Sequence, residues 1–492
     1  MELPNDIQSC HRIIIELSRF VAGIKPQLED YLQVIEKQSL QIEQLVSQNK
    51  QLETRITELE SQIKQNSHNS SQPPSSDKYR IKPAFTRPKG GKLGGKPGHK
   101  GGTLKMVEEA DYIIPHYVEI CEYCGKTHQQ EPLELRARRQ VFDIPAPRIE
   151  VTEHQAQDWV CARCGVQNAG VFPEEVKTSV QYGPRIKSAG VLLNQYLAVP
   201  RNKVLDIFRM FYGIEMNESA LQKHQEQAYE KLSTDEQYIK GQVQKSPVVH
   251  FDETGAYVNG KRIWEHVASN QAYTLLFIHE KRGAQAHQCE TSILPDFRGW
   301  AVHDCWASYF MFDRAKHAIC GSHLLRELIA LTENGSKWAK RCHKMLLDLY
   351  ERSDKGRSVI RKKYRKSVKA DFSELFKAAH KEEPPPVINP RGKPKKSKGR
   401  NLLERLEKHL DAVLAFAFNE EVPFTNNQAE RDIRPTKTKM KVAGCFRTLE
   451  GAKIYARVQS FCSTVRKLHF NPFNELYTVF NDGIPKYRLQ SA

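Results

Sequence analysis

The sequence predicts a multidomain α+β protein, with an N-terminal coiled coil, a zinc ribbon-like module, a helical segment and an α/β core broken by a helical insertion. Three observations predict it. Apolar residues repeat every seven positions over 35–63, two Cys-x-x-C pairs bracket 121–164, and beyond 248 short apolar runs end in carboxylates.

The heptad comes first. Ile35, Ile42, Asn49, Ile56 and Ile63 fall seven apart, and Gln38, Leu45, Leu52 and Leu59 form the second series. Ile in one series with Leu in the other favours two strands, and the lone Asn49 would fix register and parallel orientation. The competing reading is an amphipathic helix packed on its own protein, but the flanking Gln, Glu and Lys leave little apolar surface beyond the seam. A homodimer is therefore expected from residues 1–65, with a higher assembly left open.

The segment Asn66 to Asp77 has too little apolar content to fold. From Lys78 to Lys105 follow nine Lys or Arg and no acid, interleaved with Gly pairs. Within the linker of 66–110, Lys89, Lys92, Lys96 and Lys100 suit phosphate backbones without reading sequence; the alternative is a solvated linker. Over 111–175, Cys121, Cys124, Cys161 and Cys164 match a tetrahedral Zn²⁺ site, and the Gly after each pair lets the backbone turn about an ion. Between them Gln140–Pro145 and Arg148–Thr152 are expected as strands of a ribbon.

Residues 176–240 turn helical. Gly183-Pro184 opens a helix through Leu197, a second runs from Arg201 to Phe211, Tyr212-Gly213 makes a turn, and a third starts near Asn217 or Ser219. Short helices about a Gly turn permit a DNA-binding helix-turn-helix, although such helices are as often scaffold.

The core is expected over 241–334 and 421–465. Val248 to Thr254 is an apolar run carrying Asp252, expected at the exposed end of its strand because a strand interior has no solvent for an ion. Asn259-Gly260 between apolar runs signals a hairpin, and Tyr273–Ile278 supplies a third strand. A helix-length stretch from about Gly283 to Leu294 leads to a further strand ending at Asp304. Glu430 lies 126 residues later in an early helical turn. Strands in a meander, a helix, a strand and a later helix bearing Glu is the element order of the ribonuclease H-like fold. Three acids at one place repel unless divalent cations sit among them, and paired Mg²⁺ (or Mn²⁺) suits in-line phosphoryl transfer.

His317, Cys320 and His323, with Cys305 upstream, have metal-like spacing, but the Leu324–Leu328 stretch points to a helix packed behind the Asp304 strand. Residues 335–420 are expected as a helical insertion with basic stretches, and 466–492 as a tail. Beyond Glu430, Arg431, Arg434, Lys437, Lys439 and Lys441 offer phosphate contacts; otherwise they are a solvated helix flank.

Composition agrees. The formal charge of +17 favours a polyanionic partner, double-stranded DNA among them. No apolar run approaches the roughly 20 residues of a membrane span, so a soluble, cytoplasmic and nucleoid-associated protein is expected. Eleven Cys, four of them in the two pairs, fit metal binding in a reducing compartment better than disulfides.

The Ser70–Asp77 segment, the Gly91 to Gly101 strap, the paired knuckles, His250–Thr254 and Thr425–Pro435 (TNNQAERDIRP) together resemble the transposases of the insertion sequence 66 family. The resemblance covers nearly the whole chain in order. It implies a DDE transposase that binds the ends of a mobile element and cuts and joins DNA, with Asp252, Asp304 and Glu430 as the catalytic acids, Mg²⁺ as cofactor and two small companion proteins. The family usually has Gly-Ser where Thr448-Leu449 stands here. A catalytically silent DNA-binding descendant and a structure-selective nuclease are the competing readings. Intact acids weigh against the first, and the coiled coil, zinc module and strap against the second.

Overall fold

The computed structural model describes residues 6–63, 104–116, 120–127, 135–353, 359–386 and 396–489. Lys89, Lys92, Lys96 and Lys100 of the basic strap therefore lie outside the described residues. Helix α1 spans Ile7–Ile63 with Pro26 inside it. Ile35, Ile42, Leu45, Leu52, Ile56, Leu59 and Ile63 are each 42–78% exposed, so the apolar seam is not consumed by packing on its own protein.

In the cysteine module, β1 (Trp159–Val160) and β2 (Gln167–Asn168) form a two-stranded antiparallel ladder around the second knuckle. A single bridge between Ile120 and Thr127 does the same around the first. The expected strands at Gln140–Pro145 and Arg148–Thr152 are instead unpaired chain. Pro145 and Pro147 have no N–H to give a ladder, and Val141, Ile144 and Val151 stay exposed.

Helices α2 (Pro184–Val191), α3 (Arg201–Tyr212), α4 (Glu218–Lys231) and α5 (Ser233–Gln244) follow. Gly213 ends α3 in the left-handed conformation at φ 66°, and the Asn217 side chain caps α4 by accepting the Ala220 N–H. The first helix does not continue regularly to Leu197; it widens into a π turn over Leu192–Tyr196. That turn leaves carbonyls unclaimed by the helix. Lys439 donates to Asn194 O at 2.9 Å, and Gln459 donates to the carbonyls of Gln195 and Tyr196 at 3.0 and 3.1 Å.

The central sheet begins with β3 (Val248–Val258), β4 (Lys261–Ser269) and β5 (Thr274–His279), an antiparallel meander whose first turn is Asn259-Gly260 with φ of 46° and 79°. Two successive positive φ values are what a two-residue hairpin requires. The helix expected over Gly283–Leu294 shrinks to one turn, α6 (Ala284–His287), with a tight turn at Leu294–Asp296. Ser292 there accepts the Leu294 N–H through its side chain, a local bond that competes with a helix, and Pro295 follows. Strands β6 (Trp300–His303) and β7 (Lys316–Ile319) then add parallel to β3, giving the order β5-β4-β3-β6-β7.

Helix α7 (Gly321–Glu333) follows β7, and α8 (Lys337–Arg352), α9 (Lys362–Glu382), α10 (Lys398–Lys408), α11 (Leu410–Val413) and α12 (Ala415–Phe418) build the insertion against it. Their Leu328, Leu346, Phe372, Leu403 and Val413 share one apolar core with Val302 of β6 and Ile319 of β7. Helices α13 (Asn427–Asp432), α14 (Arg434–Ala443), α15 (Leu449–Lys467), α16 (Pro472–Phe480) and α17 (Lys486–Leu489) complete the chain. The stretch expected as a tail is thus packed structure. Leu476, Val479 and Tyr487 join Ala228 of α4 and Val458 and Phe461 of α15 in one core, and the Tyr487 hydroxyl donates to Asp235 at 2.5 Å. Where the family usually has Gly-Ser, the Thr448 hydroxyl caps α15 by accepting the Gly451 N–H at 3.0 Å. No helix among the described residues is long and apolar enough to cross a membrane.

The outer edge of β5 is closed by side chains. Ser460 accepts the Leu276 N–H at 2.8 Å and Thr464 accepts the Thr274 N–H at 3.0 Å. Four helical residues rise about 6 Å and two strand residues about 6.6 Å, so hydroxyls one helical turn apart meet successive free amides of one strand edge. Ser460→Ala and Thr464→Val should each lower unfolding free energy by about 1–3 kcal/mol, because each leaves a buried amide unpaired. Denaturant titration measures the loss, and hydrogen exchange at Leu276 and Thr274 should accelerate; unchanged protection at both amides would refute this account of the edge.

Candidate active site

Asp252 is not at the end of its strand. It sits mid-way along β3, but β6 pairs with β3 only from Val248 to His250, so Asp252 emerges just past the point where its neighbour stops. Alternation along the strand puts His250 and Asp252 on one face, and Val249, Phe251 and Glu253 on the other. Phe251 packs on Phe297 and Tyr309 on that second face, while His250 faces α13.

Asp304 follows β6 directly. Its Oδ1 accepts the Trp306 N–H at 3.1 Å, and Cys305 between them has a φ of 73°. A left-handed non-glycine residue is strained, and it is held here by burial of its side chain and by the bond from its N–H to His303 Nδ1 at 3.1 Å.

Glu430 reaches the site through Asn426. The Asn426 side chain meets His250 Nδ1 at 2.9 Å and donates to Phe251 O at 2.7 Å, while its backbone N–H points to Cys320 Sγ at 3.1 Å. Phe251 is the first β3 residue that β6 leaves unpaired, so the amide takes the place of the missing strand. One turn later, Glu430 faces His323 of α7, with Oε1 3.7 Å from Nδ1. Gly321 permits this approach: it donates to Phe424 O at 2.8 Å, and a Cβ there would overlap the Phe424 ring.

The electrostatics are those of crowded acids. Burial first, then the charges of Glu253 and Asp304, push the Asp252 carboxyl up to about 7. Burial and Asp304 likewise raise Glu253, on which the Tyr309 hydroxyl and Arg282 converge, each at 2.7 Å. The Arg282 guanidinium also lies 3.9 Å from Asp304 Oδ2 and over the rings of Trp306 and Trp264, at 4.2 and 5.0 Å. Sequence reasoning missed Arg282 and carried Asn426 only as part of the Thr425–Pro435 motif; the Asn426 side chain faces β3.

The basic residues divide. Arg431, Arg434, Lys437 and Lys441 are exposed, and the last three recur at a spacing that shares one face of α14. Lys437 stands close enough to Asp252 to oppose its rise. Lys439, expected among the phosphate contacts, is instead buried; its ammonium bonds Asn194 O, and burial with nearby Arg201 lowers it to about 8.

Two groups of ligand-type atoms lie within 4.8 Å of one another among the described residues: Glu253 with His266 and His287, and Cys320 with His323 and Glu430. In the first, both Glu253 oxygens are already engaged. His317 and Cys305 do pack as expected: His317 bonds His303 at 3.1 Å and Cys305 is buried. Cys320 and His323, expected with them, turn toward Glu430 instead. The four cysteines of the zinc module form their two knuckles but do not converge into such a group. In each, the Gly after the pair has φ near 70° (Gly125 at 69°, Gly165 at 72°) and its N–H bonds the first cysteine's carbonyl. Backbone N–H groups aimed at Cys121 and Cys161 lower both thiols, the state a metal ligand needs. Each half therefore fits a thiolate metal site.

Stability should carry the mark of Asp252. Its folded pKa stands well above the ordinary aspartate value of 3.8, so the stabilisation by its neutral form is complete below about pH 4 and is lost as pH rises through about 7. Asp252→Asn, uncharged throughout, should match the parent near pH 4 and exceed it by on the order of a few kcal/mol at pH 8 in chelator. Melting curves at the two pH values check this; an advantage that does not grow with pH would show that the carboxyl is already ionised.

Comparison with protein families gives three matches. Residues 179–454 match the model of the Transposase IS66 family, residues 119–165 match the zinc-finger binding domain of transposase IS66, and residues 24–105 match a family of unknown function. No curated protein matches the chain. The first match spans more than half of the chain, including both expected aspartates and the expected glutamate, and with it the chain belongs to the IS66 family of transposases.

Proposed function

We propose that the chain binds the ends of a mobile DNA element and catalyses strand cleavage and strand transfer at Asp252, Asp304 and Glu430. The observation that carries this is the position of the acids: one on a strand just past its neighbour's end, one on the turn after that neighbour, and one on a helix that Asn426 pins to the first of these strands. A meander followed by two parallel strands and a late helix bearing the third acid supports a ribonuclease H-like core.

The donor set fits hard divalent cations such as Mg²⁺ or Mn²⁺. Burial first, and then the charges of Glu253 and Asp304, disfavour the ionised form of Asp252, and Glu430 Oε1 is buried without a hydrogen-bond partner, so both gain from a nearby positive charge. Bound there, the cations would polarise a phosphodiester and offset charge developing on its oxygens. The protein's own residues do the rest. Arg431, Arg434, Lys437 and Lys441 grip phosphates beside the acids, the strap residues Lys89, Lys92, Lys96 and Lys100 add contacts blind to sequence, and Arg282 holds Glu253 away from the reacting face.

The remaining modules serve assembly. The exposed seam of α1 supports pairing of two copies as a parallel coiled coil, which would bring two DNA ends together. Cys121, Cys124, Cys161 and Cys164 would hold one Zn²⁺ that staples the module between strap and core. Helices α3 and α4 around the Gly213 turn give a helix-turn-helix surface for the element end, and two small companion proteins would join the assembly.

The test is a cleavage and joining assay on DNA carrying the terminal repeats that flank the gene, with Mg²⁺ and with EDTA. Asp252→Asn, Asp304→Asn and Glu430→Gln should each reduce cleavage by roughly a hundredfold or more while leaving DNA binding within about twofold. Cleavage that survives these changes would sink the assignment; cleavage without joined products would point to a nuclease.

A further inference from the structure

The pair formed by His323 and Glu430 goes beyond the three acids. Nδ1 of His323 and Oε1 of Glu430 face each other at 3.7 Å, too far for a hydrogen bond, and both atoms are buried without any hydrogen-bond partner. An imidazole nitrogen and a carboxylate oxygen left so are costly to bury, and a cation shared between the carboxylate and the neutral imidazole would satisfy both. The separation is also in the range of two ligands on one ion, since metal bonds of about 2.0–2.2 Å place neighbouring ligands roughly 3–4 Å apart.

The position is built rather than incidental. His323 lies in the first turn of α7, and Cys320 at the head of that helix receives the Asn426 N–H at 3.1 Å. Asn426 in turn sets α13 one turn before Glu430. The backbone that delivers the glutamate is thus joined to the backbone that delivers the imidazole. Cys320 Sγ lies within 4.8 Å of both ligand atoms but is committed to that amide, which makes it a positioning residue.

We propose that His323 is a fourth protein ligand, a nitrogen donor to the divalent cation on Glu430, which shifts the preference of that site from Mg²⁺ toward Mn²⁺ and other transition metals. The proposal rests on the reading of Glu430 as a cation ligand. An imidazole added to a carboxylate set favours first-row transition metals over Mg²⁺, which keeps oxygen and water about it.

Mn²⁺ is the probe, because thiolate knuckles take it poorly and its electron spin reports directly coordinated nitrogen. Pulsed electron paramagnetic resonance of the full-length protein with one equivalent of Mn²⁺ should show imidazole ¹⁴N coupling. His323→Gln should abolish the coupling and weaken Mn²⁺ binding roughly tenfold, while Mg²⁺ binding, read by competition, changes less than about threefold. Cys320→Ser should keep the coupling. Two results overturn the proposal. Absent ¹⁴N coupling in the parent protein, with Mn²⁺ binding still lost in Asp252→Asn and Glu430→Gln, removes His323 as a ligand and leaves the acid site standing. Mn²⁺ binding indifferent to both acid substitutions removes the acid site and this inference together.

Discussion

The bonds made by Asn426 are the constraint on which the candidate site depends. Between residues 250 and 426 the chain builds the rest of the sheet and the whole helical insertion, and nothing local can bring α13 back to β3. A buried side-chain amide with a partner on both its oxygen and its nitrogen, plus a backbone N–H on a thiol, does so. Each bond alone contributes about 1 kcal/mol, but leaving any partner unmatched in this buried place costs more than that. The arrangement is directional, and a one-residue slip of β3 would turn His250 and Asp252 to the opposite face.

Beside it Asp252, Glu253 and Asp304 crowd one another, and the surroundings divide the cost of their repulsion. Glu253 is taken out of the contest by Arg282 and Tyr309 on the far face of β3. Arg282 is itself fixed, lying over the rings of Trp264 and Trp306, where a guanidinium gains from the ring faces as well as from the carboxylate. Asp252 has no such partner: its own bond is from the Glu253 backbone N–H at 2.9 Å, and burial keeps its carboxyl near neutral. The adjacent acids therefore differ by the face each occupies: Glu253 has both carboxylate oxygens bonded to Arg282 and Tyr309, and Asp252 accepts the Glu253 backbone N–H.

What the sequence made legible was local. Asn259-Gly260 marks its own hairpin, Gly213 and Asn217 mark the end of α3 and the start of α4, and the glycines after each Cys pair mark the knuckles, because each signal acts within a few residues of itself. The strand runs around Asp252 and Asp304 were visible for the same reason. What escaped was set by partners far along the chain. β7 is four residues long and gains its place only by pairing with β6, the Asn426 side chain is decided by β3, and the π turn at Leu192–Tyr196 is decided by Lys439 and Gln459. The ribbon strands failed in the opposite sense, since the β-branched Val141, Ile144, Ile149 and Val151 look like strand residues but find no strand partner in the described structure.

The π turn also decides how the helical region relates to the core. The carbonyls of Asn194, Gln195 and Tyr196 lie in the last turn, where no later N–H of the helix reaches them. The turn receives a buried ammonium from Lys439 and an amide from Gln459, while Arg457 of α15 reaches Tyr229 O at 2.6 Å and Glu236 at 2.7 Å. Lys439 lies on the same short helix whose opposite face presents Arg434, Lys437 and Lys441, so the residue that failed as a phosphate contact anchors those that remain exposed. A helix held from behind by buried polar bonds presents Arg434, Lys437 and Lys441 at fixed positions, Lys437 among them near Asp252.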